Sequence, residues 1–280
     1  MKRLFKTGLV VVAVMAMMLA VAGCGGGGEK ARETAGEGDG QKQAGKPQKL
    51  IFGTEPTYPP FESFDANGKM VGFDVDLIDA INEVSGLEIE MQTYDFKGLI
   101  PALEIASIDG AISAMTITDE RAEVVNFSVP YYKSGLCVAV RSDNETIKGF
   151  DDLEGKKIGA QTGTTGEMEA NTVPNSQVFP FDSIAEAFMD LNNGGVDAVI
   201  NDYPVTAYYI ANKGEGKAKI VGDLRTSEYY GIAIPKQKPE VLEEVNTALK
   251  TLKENGKYAQ IYQKWFGEAP PEYLPGQPPQ

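Results

Sequence analysis

Arg121 closes the segment Thr118-Asp119-Glu120-Arg121, a few residues after the run of small and hydroxyl side chains Ser113-Ala114-Met115-Thr116. Such a run leaves backbone N–H groups accessible, a helix start adds more of them, and an arginine can grip a carboxylate through two parallel bonds. A second stretch friendly to anions, Thr162-Gly163-Thr164-Thr165-Gly166, joins a strand to a helix. It has no lysine of the kind that phosphate-binding loops carry, so a nucleotide is a poor occupant. The opposite charge comes from Asn201-Asp202-Tyr203-Pro204. A carboxylate at the C-terminal end of a strand faces the cleft of an open α/β lobe and can hold an ammonium group; the plainer role for Asp202 is to cap the helix that begins at Pro204. Glu55-Pro56-Thr57-Tyr58-Pro59-Pro60-Phe61 is a proline-rich loop that fixes its rings with little freedom. Tyr58 is expected in a cleft and Phe61 in the core. The chain has no histidine. That removes the commonest metal ligand and general base and every Ser-His or Cys-His mechanism, so no metal, cofactor or catalytic residue is expected.

These residues need strands that end at a common edge, and the chain supplies strands and helices in alternation, the pattern of an α/β protein. Strands are expected at Lys49–Thr54, Leu87–Tyr94, Gly110–Ala114, Lys157–Gln161 and Val196–Asn201. Helices are expected at Asp74–Val84, Leu99–Ile105, Ser183–Asn192 behind the capping box Ser183/Glu186, Pro239–Glu254 and Lys257–Phe266. Leu103, Ile108, Asp109 and Ile112 match Leu191, Val196, Asp197 and Ile200 at a constant offset of 88, a weak internal repeat. Each half therefore reads as one α/β lobe. Strand-like segments at Gly135–Arg141 and Tyr229–Pro235 bracket the second half, so the chain crosses between the lobes twice and makes a hinged clamp. The expected order is lobe 1 from 49–134 plus 232–268, lobe 2 from 135–231, and a Pro-rich tail at 269–280.

Ahead of the lobes, Lys2, Arg3 and Lys6 precede an apolar run from Leu9 to Ala22 and small residues ending at Cys24, the three-part form of a secretory leader over 1–23. Val21-Ala22-Gly23-Cys24 resembles the bacterial lipobox, which implies an acylated Cys24 and a lipid anchor to the membrane. Residues 24–48 carry no large apolar side chain until their end and read as a flexible tether. With Cys24 lipidated, Cys137 is left as an inert buried thiol in the run Leu136–Val140. Forty Asp and Glu against 26 Lys and Arg argue against a nucleic-acid partner.

Five segments in order, spanning nearly all of 49–267, together resemble the polar amino-acid-binding proteins of ABC importers, solute-binding protein family 3, in its glutamine and basic amino-acid receptor group. They are Tyr58-Pro-Pro-Phe61-Glu62, Gly72-Phe-Asp-Val-Asp-Leu77, Phe96-Lys-Gly-Leu-Ile-Pro-Ala-Leu103, Met115-Thr-Ile-Thr-Asp-Glu-Arg121 and Lys264-Trp-Phe-Gly267. The resemblance implies a two-lobed, periplasmic-binding-protein-like (type II) fold with two hinge crossovers. It also implies a monomer outside the cytoplasm that closes on an amino acid and delivers it to an ABC permease in the membrane. By position, Arg121 clamps the α-carboxylate with Thr116 and the backbone around Ala114 and Thr165, in the loop that Ser113 opens, while Asp202 takes the α-ammonium. Tyr58 and Phe96 sandwich the stem, and Glu55 and Gln161 face its polar end. Glutamine receptors place a lysine where this chain has Gln161, so glutamine and arginine or lysine both remain open; Glu55 disfavours acidic amino acids. An exported enzyme that resembles these receptors, such as a cyclohexadienyl or prephenate dehydratase, is the alternative. It needs a tuned cleft acid or base, for which only Glu55 and Asp202 offer themselves.

Overall fold

The computed structural model describes residues 48–279. The leader, Cys24 and nearly all of the tether lie outside the described residues. The first stretch runs β1 (Gln48–Thr54), β2 (Thr57–Tyr58), β3 (Glu62–Phe64), β4 (Met70–Val71), α1 (Phe73–Val84), β5 (Leu87–Thr93), α2 (Phe96–Glu104), β6 (Gly110–Ala111), α3 (Asp119–Val124) and β7 (Val125–Phe127). There follow β8 (Tyr132–Arg141), β9 (Lys157–Gln161), α4 (Thr165–Thr172), β10 (Gln177–Phe181), α5 (Ile184–Asn193), β11 (Ala198–Asp202), α6 (Tyr203–Asn212) and β12 (Ala218–Tyr230). The chain returns through β13 (Ala233–Pro235), α7 (Pro239–Glu254) and α8 (Lys257–Phe266).

Two five-stranded sheets result, ordered β5-β1-β6-β13-β7 and β10-β9-β11-β8-β12. In each, three parallel strands are followed by one antiparallel strand, and the fifth runs with the first three again. The repeat seen in the sequence is thus the pairing of α2–β6 with α5–β11 at equivalent places. In both sheets the first strand of the motif lies between the second and third, and ligands bind open α/β sheets beyond the strand ends at such reversal points. Glu55 follows β1, Ser113 follows β6, Gln161 ends β9 and Asp202 ends β11, so four candidate residues converge there.

Local chemistry explains the boundaries. Ser183 accepts from Glu186 N while Glu186 reaches back to Ser183 N, the capping box expected of α5. Pro239 opens α7, where a missing N–H is harmless. Several boundaries differ from expectation: β8 starts three residues early, at Tyr132, β11 runs Ala198–Asp202 rather than Val196–Asn201, and three further differences have a structural cause. Helix α2 starts at Phe96 rather than Leu99, because Gly98 N–H closes a turn onto Asp95 O and so enters the helix instead of breaking it. Strand β6 stops at Ala111, since Ala114 adopts φ 44°, a left-handed conformation that no strand accommodates. The segment Tyr229–Pro235 is two strands, not one. At Gly231 the chain changes sheets, and a Cβ there would meet the Ile117 side chain at 2.9 Å.

The apolar core behind the first sheet is an aromatic cluster. Phe61 packs edge-on against Phe73, Tyr132 and Tyr230, and Phe266 of α8 closes over Phe61, Phe73 and Tyr132. Phe61 is fully buried, as expected. Truncating such a ring to alanine costs about 3–5 kcal/mol. The Pro-Pro-Phe and Trp-Phe motifs at opposite ends of the chain meet here. The C-terminal tail is tied down as well, with Lys253 Nζ bonded to Tyr273 O and Gly276 N–H to Pro130 O.

Candidate functional site

A narrow cavity opens between the two sets of strand ends, lined by Tyr58, Phe96, Ser113, Ala114, Thr116, Arg121, Gln161, Thr164, Thr165 and Asp202. Glu55 is buried beside this lining, bonded to Gln161, and Thr164 of the second anion-friendly loop joins the lining.

Arg121 is 5 % exposed on a short helix whose cap, Thr118, accepts Arg121 N–H. Its Nη1 donates to Thr116 O at 2.6 Å and its Nη2 to Gly163 O at 2.9 Å, across to the second sheet's loop. The guanidinium lies 5.5 Å from the centre of the Phe96 ring, a cation–π contact. Burial lowers the Arg121 pKa, while Asp202 and Glu228 oppose that shift.

Asp202 occupies the position before α6 but makes no side-chain cap, so the plainer role suggested by the sequence does not apply. Its carboxylate accepts Tyr58 OH at 2.5 Å and Ser134 OH at 3.4 Å, and Tyr58 OH also lies 2.7 Å from Asn201 Oδ1. Burial raises the Asp202 pKa, and the Tyr58 hydroxyl partly offsets it. Glu55 accepts Thr57 OH and Gln161 Nε2–H, the latter at 3.2 Å from the second sheet. Burial raises its pKa too. The carbonyl oxygen of the Gln161 side chain is buried with no partner. Such an acceptor is costly unless something donates to it.

Beneath the cavity floor a second layer fixes these groups. Ser113 OH donates to Glu62 Oε1 and accepts Glu55 N–H, while Ala114 N–H and Tyr131 OH donate to Asp74 Oδ2. The Asp74 bond holds Ala114 in its left-handed conformation. Glu62 and Asp74 are both fully buried. Burial raises both carboxyls, Asp74 to about 7, and the nearby Asp74 charge raises Glu62 further. Sequence reasoning assigned no role to Glu62, Asp74 or Glu228. The first two lie inside recognisable motifs, whereas nothing in the spacing around Glu228 marks it. Cys137 is buried in β8, where burial pushes its thiol up to about 12. No cluster able to hold a metal ion occurs among the described residues.

Two matching sheets enclosing a polar cleft are the architecture of a solute-binding protein. Residues 50–268 match the family model of bacterial extracellular solute-binding proteins, family 3, and the chain belongs to that family. It is 36 % identical over 227 residues to ABC transporter arginine-binding protein 1 of Escherichia coli, covering 80 % of this chain and 93 % of that one. An ancestral arginine-binding protein bound to arginine superposes with a TM-score of 0.76 at 44 % identity, over 80 % of this chain and 100 % of the other. An ancestral arginine-binding protein bound to glutamine superposes with a TM-score of 0.74 at 45 % identity, over 79 % of this chain and 98 % of the other. Membership of this family accords with the expectation of binding rather than catalysis.

Proposed function

We propose that the protein is the extracytoplasmic receptor of an ABC importer for a basic L-amino acid, arginine first. The observation that carries this reading is the charge balance of the buried site. Among the described residues the buried acidic side chains are Glu55, Glu62, Asp74, Asp202 and Glu228 against Arg121 alone, so negative charge stays in excess even where a buried pair keeps one proton. Such an excess of carboxylate favours a ligand with one cation more than a zwitterion, because an unpaired buried charge is costly. Arg121 takes the α-carboxylate, Asp202 the α-ammonium, Phe96 and Tyr58 flank the stem, and Glu55 with Gln161 receives the guanidinium. The partnerless Gln161 oxygen is then an acceptor for a guanidinium N–H. Glutamine leaves Glu55 without a cation, which sets it second.

The two sheets are read as lobes, residues 49–134 with 232–268 and residues 135–231, that close on the ligand. Tyr58 to Asp202, Arg121 to Gly163, Gln161 to Glu55 and Lys97 to Asp182 are the contacts that would register closure. A lipid on Cys24 would keep the receptor beside its permease while the tether lets it reach the entrance, and a monomer suffices for that task. No helix among the described residues is long and apolar enough to cross a membrane.

A thermal-shift screen against the common amino acids tests the reading. A ligand at one hundred times its Kd adds about 2.7 kcal/mol to the folded state, which in a chain of this size raises Tm by roughly 5–10 °C. Arginine should give the largest shift, lysine a clear one, glutamine a smaller one and glutamate none. If glutamate rather than arginine raised the midpoint, the charge argument would be wrong; no shift with any amino acid would remove the function itself.

A further inference from the structure

Asp202 has a second carboxylate beside it. Glu228, near the end of β12, is 8 % exposed and within hydrogen-bonding reach of Asp202. Its Oε2 accepts the hydroxyls of Thr116 and Thr165 at 3.2 Å each, one from the loop after β6 and one from the start of α4. Thr116, Thr165 and Asp202 all line the cavity, so Glu228 stands directly behind its wall. The backbone that delivers it is distorted. Strand β12 shifts register against β8 between Val221 and Arg225 and again between Arg225 and Glu228, and Thr226 adopts φ 72°. A β-branched residue in that region is strained by about 1–3 kcal/mol and persists only where its surroundings enforce it.

No lysine or arginine among the described residues forms an ion pair with either carboxylate. The groups facing Glu228 are Asp202 at the end of β11, Arg121 from α3, Tyr58 from β2 and Tyr230 on its own strand. Arg121 directs Nη1 and Nη2 to the carbonyls of Thr116 and Gly163. Two buried carboxylates in hydrogen-bonding contact, with no ion-pair partner, hold either a shared proton or a cation from outside.

We propose that Glu228 is a positioning residue which shares one proton with Asp202, and that a ligand ammonium arriving on Asp202 expels that proton, so that capture is proton-linked. The exchange balances: the pair carrying one proton and one negative charge meets an ammonium, the ammonium is bound on Asp202 with both carboxylates unprotonated, and one proton passes to solvent. No covalent bond to carbon changes. The inference rests on the amino-acid reading above, and deepens it by making affinity depend on pH. Burial foremost, then Asp202, raises Glu228 to about 7, with the two threonine hydroxyls opposing. Affinity should therefore rise with pH through neutrality, by about tenfold between pH 6 and pH 8 for one proton released.

Calorimetry of the purified protein with L-arginine at pH 6, 7 and 8, in buffers of different ionisation heat, counts the protons directly. The wild type should release up to one proton per arginine at pH 6 and few at pH 8. Glu228→Gln should release none from this pair and keep a flat affinity, about tenfold weaker than the wild type at pH 8 and close to it at pH 6. Wild-type binding with flat affinity and no proton release overturns the proposal, as does a Glu228→Gln protein that folds and still releases the wild-type number. Should that variant not fold, the wild-type proton count decides alone. Absence of heat with arginine and every other common amino acid removes the amino-acid reading, and this one with it.

Discussion

Replacing Glu62 by glutamine exchanges a buried carboxyl for an amide of the same shape. Glu62 Oε2 and Asp74 Oδ1 have no other hydrogen-bond partner, and the two side chains bond to one another. Asp74 already receives Ala114 N–H and Tyr131 OH, so it is the better place for the negative charge, and Glu62 keeps the proton. In the unfolded chain Glu62 gives up that proton near its ordinary value of 4.5. Above that pH the folded chain binds more protons than the unfolded one, and stability falls as pH rises, by about 1.4 kcal/mol per unit until the raised folded value is passed. Glu62→Gln removes this slope, because its amide donates to Asp74 at every pH and its oxygen still accepts Ser113 OH. The raised Asp74 titrates in the same sense in both proteins. Urea unfolding at several pH values, followed through Trp265, should place the two proteins within about 1 kcal/mol at pH 5.5 and the variant further ahead at each higher pH, by at most about 1.4 kcal/mol per unit. Trp265 reports on this region because its indole N–H bonds to Asp76 on α1. Parallel stability curves for the two proteins would show that Glu62 holds no proton in the folded chain.

Glu55→Gln should separate the two candidate ligands. Arginine loses a charge-assisted partner and weakens by roughly tenfold or more, whereas glutamine is held as well as before or better; equal losses for both, read by calorimetry, would make Glu55 a support for Thr57 and Gln161 only. Cys137, buried and with its thiol raised to about 12, should resist a disulfide reagent at pH 8 in the folded protein and react once guanidinium unfolds it. Cys24→Ser in the background removes any contribution from an unacylated Cys24, and prompt reaction of the folded chain would contradict the strand placement.

The elements legible in the sequence are those whose causes are local. Strand β9 and helices α7 and α8 fall where alternation, Pro239 and Asn255-Gly256 put them, and the cap of α5 follows from Ser183 and Glu186 alone. The convergence of Arg121 and Asp202 is legible because each ends or follows a recognisable strand, whereas Gln161 comes only from the family resemblance. What escaped is set by partners distant in the chain. The early end of β6 depends on Ala114, whose left-handed backbone is held by Asp74, 40 positions away. The break after Tyr230 depends on Ile117 and Phe127 filling the space beside Gly231.

Acidic residues were the hardest to place, for a physical reason. A carboxylate in sequence is ordinarily a solvated surface group, and only the fold shows that five of them are buried against one arginine. Each pairing depends on residues distant in the chain: Glu62 and Asp74 are held by Ser113 and Ala114, 51 and 40 positions away, and Glu228 reaches Asp202 through a strand that twice loses register. The first pair lies under the cavity floor and the second behind its wall. Among the described residues neither forms an ion pair with a lysine or arginine, so each is stabilised by a proton or a bound charge. The two differ in what they can exchange. The Glu62–Asp74 pair is fully buried and can only hold its proton, so it tunes stability with pH. Asp202 reaches the cavity, so the Asp202–Glu228 pair can trade its proton for a ligand's ammonium and tunes affinity instead.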